Sequence, residues 1–323
     1  MKDFGGKIAV VTGGGTGMGR ALVRQLVAEG CHVATCDIIA ENLAETVELA
    51  TAEAGQGARV TSALCDVAVE DQVVAFRDHV RDAFETEHIN LLFNNAGIGG
   101  GGSFIEDSRD EWERTFNICW YGVYYTARAF REMLVASAGH GGGHMVNTSS
   151  VNGFRASLGG NIPHTAYSAA KFAVKGFSEA LINDFRFNAP HLKVSVVMPG
   201  HVGTEIGVNT GRILGYREPK DWTADDIARA RKQRATMGVP DESLDSLDDD
   251  AFRAEMQRRR ERYREAPVSP AQAAEIILDG VRRENWRILV GKDAVALDEA
   301  VRQTPLEAYD LDFSAKVWAS MAD

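Results

Sequence analysis

The chain has 323 residues, of which 45% are hydrophobic and 25% charged, and a formal net charge of −11. It is long enough to bury a large core, both fractions are near the globular average, and an acidic surface argues against nucleic acid as a partner. No apolar run approaches the roughly 20 residues of a membrane span, and Cys31, Cys36, Cys65 and Cys119 form no CxxC pair, so a cytoplasmic chain with reduced thiols, no membrane contact and no metal centre is expected. The opening MKDFGGKIAVVTGG has only a short apolar stretch before its glycines and does not read as a signal peptide. KIAVVT (7–12) predicts a first strand, RALVRQLVAEG (20–30) a helix closed by glycine, and HVATCD (32–37) and VTSALCD (60–66) two more strands. INLLFNNAG (89–97), HMVNTSS (144–150), KVSVVMPG (193–200) and WRILVG (286–291) continue the series, with helical stretches between them. Apolar strands alternating with helices predict a doubly wound α/β domain over 1–323, its parallel sheet of about seven strands covered on both faces.

Residues 205–268 contain no strand-like run and predict a helical insertion after the sixth strand. Thr223-Ala-Asp-Asp226 opens a polar helix with a capping box. Acidic DESLDSLDDD (241–250) followed by basic RRRERYR (258–264) suits a helix dipole, with Phe252, Met256 and Tyr263 as its apolar stripe. Ser269-Pro-Ala-Gln272 then starts a helix running to about Asn285, and 292–323 forms a C-terminal extension.

TGGGTGMG (12–19) lies between the first strand and the first helix, where backbone amides can face a pyrophosphate and glycine lets the chain approach it. The turn misses the G-x-G-x-x-G spacing; its glycines fall as Gly13-x-x-x-Gly17-x-Gly19. Asp37 ends the second strand, where a carboxylate can take both ribose hydroxyls of an adenosine and repel a 2′-phosphate. No Arg or Lys stands at Thr16, Ile38 or Ile39 to offset that charge, so NAD is expected over NADP. Asp66, ending the third strand, is placed to reach the adenine edge. Either carboxylate could instead merely cap its turn.

Thr12–Gly19, Asn94-Asn95-Ala96-Gly97, Ser150, Tyr167-x-x-x-Lys171 and Pro199-Gly200 form one ordered series. It resembles the short-chain dehydrogenase/reductase family, closely over 7 to about 204 and more loosely over 269–291. The resemblance implies a Rossmann-like fold and an NAD cofactor held by Gly13, Thr16, Gly17, Met18, Gly19, Asp37, Asp66, Val67, Asn95, Ala96, Gly97, Pro199, Gly200, Val202 and Thr204. It further implies that Tyr167 is the general acid/base, that Ser150 holds the substrate oxygen, and that Lys171 binds the nicotinamide ribose and lowers the tyrosine pKa. Ser150 rather than Ser149 matches, because Gly153 follows it by three as in SSxxG. A free phenol titrates near ~10; a lysine charge about 5 Å away at an effective dielectric of about 20 contributes ~3 kcal/mol, or ~2 pKa units. Such a tyrosine could accept a proton from an alcohol, or protonate a carbonyl in reverse.

The family's helix asparagine, three residues before a glycine, falls here on Cys119 before Gly122. Asn117 lies about 200° away around a regular helix and could replace it only if the helix were distorted. GHGGGH (139–144) places His140 and His144 four apart in a glycine-rich turn, a poor setting for a metal. Asn152, Phe154, Ile162, Pro163 and His201 are candidate walls for a largely apolar alcohol or ketone, with 205–268 as a lid. Trp112, Phe116, Trp120, Tyr121, Tyr124, Tyr125 and Phe130 give one helix more aromatic surface than a single core face needs, which with the resemblance implies a homodimer or homotetramer. Two other readings share the fold: a nucleotide-sensing binding protein, which needs no catalytic tyrosine, and an NADP-dependent ketoacyl reductase, which Asp37 disfavours.

Overall fold

In the computed structural model, which describes residues 1–55, 57–156, 163–236 and 242–321, seven parallel strands form one sheet in the order β3-β2-β1-β4-β5-β6-β7. They are β1 (Ile8–Thr12), β2 (His32–Asp37), β3 (Val60–Leu64), β4 (Leu91–Asn94), β5 (Gly143–Thr148), β6 (Leu192–Pro199) and β7 (Arg287–Val290). All seven expected strands are present. β3 and β4 are shorter than their apolar runs, because the chain beyond Leu64 and Asn94 turns away to line a cleft.

The central strands are largely buried because both faces of the sheet are covered. Alternate residues of β1 enter different cores: Ile8 and Val10 pack with Phe76, Ile118 and Phe130 on one face, Ala9 and Val11 with Leu22, Leu26 and Ile277 on the other. The helices are α1 (Gly17–Ala28), α2 (Ala40–Ala52), α3 (Glu70–Phe84), α4 (Arg109–Phe116), α5 (Gly122–Ala129), α6 (Arg131–Val135), α7 (Thr165–Asn188), α8 (Ile206–Leu214), α9 (Ala224–Thr236), α10 (Glu242–Asp245), α11 (Asp249–Arg262), α12 (Pro270–Arg282), α13 (Lys292–Gln303) and α14 (Phe313–Ser320). Strand order reverses between β1 and β4, so the carboxyl ends of these strands frame a crevice, the usual ligand position in such sheets. Among the described residues no helix is long and apolar enough to cross a membrane.

Capping follows the sequence. Ser269 and Gln272 close a full capping box at α12, and Thr223 and Asp226 exchange the equivalent bonds before α9. Phe252 is buried against Ile227 and Leu244, with Met256 beside them. Tyr263 does not continue that stripe as expected. It lies just past the end of α11 and packs at 4.5 Å on His201.

Candidate functional site

β1 delivers Thr12 to a turn in which Gly13 and Gly17 have φ of +67° and +55°. A Cβ on Gly13 would stand 2.7 Å from the Ala96 Cα, so the end of β4 packs backbone against backbone on the turn. Thr16, the N-cap of α1, makes no side-chain cap and leaves the first helical amides without that acceptor. Its hydroxyl instead accepts from Asn209 Nδ2 of α8 at 2.9 Å.

Gly13, Thr16, Gly17, Met18, Asp37, Asp66, Val67, Asn95, Ala96, Gly97 and Thr204 line one cleft. Gly19, Pro199, Gly200 and Val202 stand outside it. Gly19 packs on the Gly13 carbonyl, Val202 bridges to Val268, and Gly200 leaves room for the Asp293 carboxylate, which accepts from the His201 amide at 2.6 Å. The cleft holds only about 120 Å³ of free space, below the roughly 300–1,000 Å³ of ordinary ligand sites. Ile206, Asn209 and Ile213 of α8 form part of its wall, and Arg212 of the same helix pairs with Glu41 of α2 at 2.6 Å.

Both acids cap turns and face the cleft. Asp37 accepts from the Ile39 amide at 3.0 Å and from the Gly15 amide at 2.9 Å. Asp66 accepts from the Ala68 amide at 3.0 Å and pairs with Arg114 of α4 at 2.6 Å. Arg114 and Asn209 escaped sequence reasoning, because each reaches the cleft from a helix distant in the chain.

Beyond Gly97 stand Ser150, Tyr167 and Lys171. A Cβ on Gly97 would lie 3.5 Å from Lys171 Nζ. Lys171 is buried on α7, donates to the Thr148 carbonyl at 2.8 Å, and holds its ammonium 5.4 Å from the centre of the Tyr167 ring. The Ser150 hydroxyl accepts from the Asn152 amide at 3.1 Å and lies close enough to the Tyr167 phenol to favour its ionised form. Ser149 instead donates to the Lys171 carbonyl at 2.7 Å. Gly153 must lack a side chain, since its Cβ would fall 2.2 Å from Ser149 Oγ.

The short chain dehydrogenase family profile matches residues 7–212. The chain belongs to the short-chain dehydrogenase family. An oxidoreductase of Mycobacterium tuberculosis named SadH is 34% identical over 302 residues, 94% of this chain and 92% of that one. A 3-alpha-(or 20-beta)-hydroxysteroid dehydrogenase of the same species is 31% identical over 234 residues, 72% and 78% of the two chains. Among solved structures, a short-chain dehydrogenase/reductase from Burkholderia phymatum in complex with NAD superposes with a TM-score of 0.72 at 27% identity, covering 95% of this chain and 96% of that one. A metagenomic short-chain oxidoreductase in complex with NADP gives 0.51 at 30% identity, covering 61% and 83%. This protein is thus an oxidoreductase of a family that binds nicotinamide dinucleotides.

In this short-chain dehydrogenase the helix that carries Cys119 is distorted. Residues Asn117–Tyr121 form a π turn between α4 and α5, in which the Gly122 amide donates to the Asn117 carbonyl. Cys119 nevertheless keeps the inward position. It is fully buried, its thiol donates to the Ile98 carbonyl at 3.2 Å, and its sulfur lies 3.7 Å from where a Gly97 Cβ would stand. Asn117 is half-buried.

The expected lowering of the Tyr167 pKa is not found. Burial pushes the phenol above its ordinary range, Cys119 adds to the rise, and the nearby Ser150 hydroxyl only partly opposes it. Burial likewise lowers Lys171. The Lys171 ammonium is itself desolvated and bonded to a carbonyl, so its charge does not offset the burial of the phenol.

Of the candidate pocket walls, Asn152 is fully buried, with Nδ2 3.4 Å from His164 Nδ1 and Oδ1 without a hydrogen-bond partner. Pro163 is exposed, and Ile162 lies outside the described residues. Phe154 and Val151 pack against α13 and α14, where the Arg155 Nε donates to the Ala308 carbonyl at 2.7 Å and the Ala156 amide to the Tyr309 hydroxyl at 3.1 Å. The C-terminal segment thus backs the loop that follows Ser150.

Proposed function

We propose that the protein is an NAD-dependent dehydrogenase or reductase that interconverts a hydrophobic secondary alcohol and its ketone. The observation that carries this reading is the meeting of Ser150, Tyr167 and Lys171 at the Gly97 wall of the glycine-turn cleft.

The residues suit the cofactor. The uncapped amides of α1 and the glycines at Gly13 and Gly17 suit a pyrophosphate, and the buried Asn95 Oδ1, without a partner, is an acceptor in the cleft wall. Asp37 would take the adenosine ribose. Arg20 offers no cation to a 2′-phosphate, because its guanidinium bonds the Gly15 and Asn42 carbonyls and Glu45. When bound, NAD supplies the hydride acceptor. Ser150 then fixes the substrate oxygen, Tyr167 removes its proton in oxidation and returns it in reduction, and Lys171 holds the ribose. A hydroxysteroid dehydrogenase among the relatives supports an apolar substrate. Four free, buried cysteines are in keeping with a cytoplasmic setting.

A screen of hydrophobic secondary alcohols with NAD tests the reading, and absence of turnover on all of them would overturn it. By calorimetry NAD should bind at least about tenfold more tightly than NADP, or ~1.4 kcal/mol. Equal constants would remove the role given to Asp37.

A further inference from the structure

At the opposite end of the sheet, the amino ends of β1 and β2 and the residues leading into β4 frame a second cleft of about 460 Å³. A five-residue strand sets it about 17 Å from the glycine turn. Its walls carry Lys7, Arg59, His32, His88 and His140, with Glu85 the one acid among them. This concentration of basic groups stands in a chain with a net charge of −11.

The donors are held in place. Lys7 Nζ and Asn90 Nδ2 both donate to the His140 carbonyl, at 2.9 and 3.0 Å, which fixes the turn carrying that histidine. His88 and His140 stack with ring centres 3.7 Å apart. Arg59 lies 5.2 Å from the centre of the Phe84 ring and makes only long contacts, 3.4 and 3.5 Å, to the last carbonyls of α3. Neither Lys7 nor Arg59 forms an ion pair with a carboxylate among the described residues, whereas Arg20, Arg24, Arg282 and Arg287 all do. The cleft also feels positive to its own side chains. Burial, His140 and Lys7 hold His88 below the ordinary imidazole range, and burial and Arg59 do the same to His32.

We propose that this cleft binds a small phosphate monoester, with Lys7 and Arg59 on the phosphate oxygens and the imidazoles of His32 and His88 as further donors. A tetrahedral dianion uses donors arriving from several directions, which a planar carboxylate cannot engage together. The volume exceeds a bare oxyanion and falls within the range of small-molecule sites. The proposal is independent of the dehydrogenase reading.

The test is calorimetry at low ionic strength on the full chain with excess NAD, so that the glycine turn does not contribute. The probes are glycerol 3-phosphate, inorganic phosphate and acetate. The expected result is one saturable site per chain for glycerol 3-phosphate, with inorganic phosphate no tighter and acetate at least tenfold weaker. Lys7→Gln and Arg59→Gln should together weaken binding at least tenfold. Should that double variant fail to fold, the imidazole proton resonances of wild-type His88 and His140 decide the matter and should shift with the same saturation curve. Absence of saturable binding, binding unchanged in the folded double variant, imidazole signals that do not move, inorganic phosphate binding tenfold tighter than the ester, or acetate binding equally well would each overturn the proposal.

Discussion

At the residue scale, the site sets a half-buried tyrosine beside a buried ammonium, and both pay in desolvation for their charged forms. Tyr167 therefore remains protonated through neutral pH in the cofactor-free protein. A bound oxidised nicotinamide adds positive charge, which favours the phenolate and lowers its pKa. By linkage, NAD should bind more tightly as pH rises toward the free-state tyrosine pKa and release a fraction of a proton. Calorimetry in buffers of different ionisation enthalpy reads this, and Tyr167→Phe should abolish that release while binding NAD normally. The same variant should lose on the order of 10²–10⁴-fold in turnover, since Tyr167 is the group assigned to move that proton. Cys119 supplies a second expectation. Its thiol can donate to the Ile98 carbonyl but is a weaker partner than an amide. Cys119→Asn should leave turnover unchanged or modestly higher. If Asn117→Ala proved as damaging as Tyr167→Phe while Cys119→Ala did nothing, the roles assigned to these two positions would be reversed.

At the element scale, α8 lies across the cofactor cleft. It touches the glycine turn through Asn209 and α2 through Arg212, and Ile206, Asn209 and Ile213 wall the cleft. The Arg212–Glu41 pair is exposed, and such pairs contribute little to stability. The Thr210 hydroxyl also accepts from the Gly99 amide at 2.8 Å, and we propose that α8 acts as a lid that opens by breaking these polar contacts. NAD should slow amide exchange most in Ile206–Leu214, with β5 in the sheet centre unaffected. Equal exchange in α8 with and without NAD would remove the lid. The π turn is also informative here: it places an extra residue between α4 and α5 while Cys119 keeps its buried position.

At the scale of the whole molecule, the aromatic helix divides between core and surface. Phe130 is fully buried, Trp112 stacks on Phe116, and Trp120 packs on Phe177 of α7. Tyr121, Tyr124 and Phe172 stay exposed on neighbouring surface of the π turn, α5 and α7. Aromatic side chains on adjoining helices are enriched at subunit interfaces. A homodimer or homotetramer built on this face is the expected state, and sedimentation at micromolar concentration should give at least twice the chain mass of 35.1 kDa. Replacing Tyr124 and Phe172 by charged residues should shift that mass toward the monomer.

What the sequence determined alone is what repeats locally. Runs such as IAVVT and HVATCD specify strands through continuous β-branched and apolar residues, and their alternation with helices specifies the parallel sheet. The capping box at Ser269 and the glycine turn are local as well, and Gly153 marked Ser150 over Ser149 because three residues carry the signal. Tertiary structure decided whatever joins residues far apart in the chain. Asp66 meets Arg114 across 48 positions and Thr16 meets Asn209 across 193, and no periodicity records either contact. The Tyr167 pKa belongs to the same class. A lysine four residues away is visible in the sequence, but burial, which sets the direction of the shift, depends on every element packed around the phenol. The basic cleft at the amino ends of the strands gathers Lys7, Arg59, His88 and His140 from four separate segments, so only the folded chain brings their charges together.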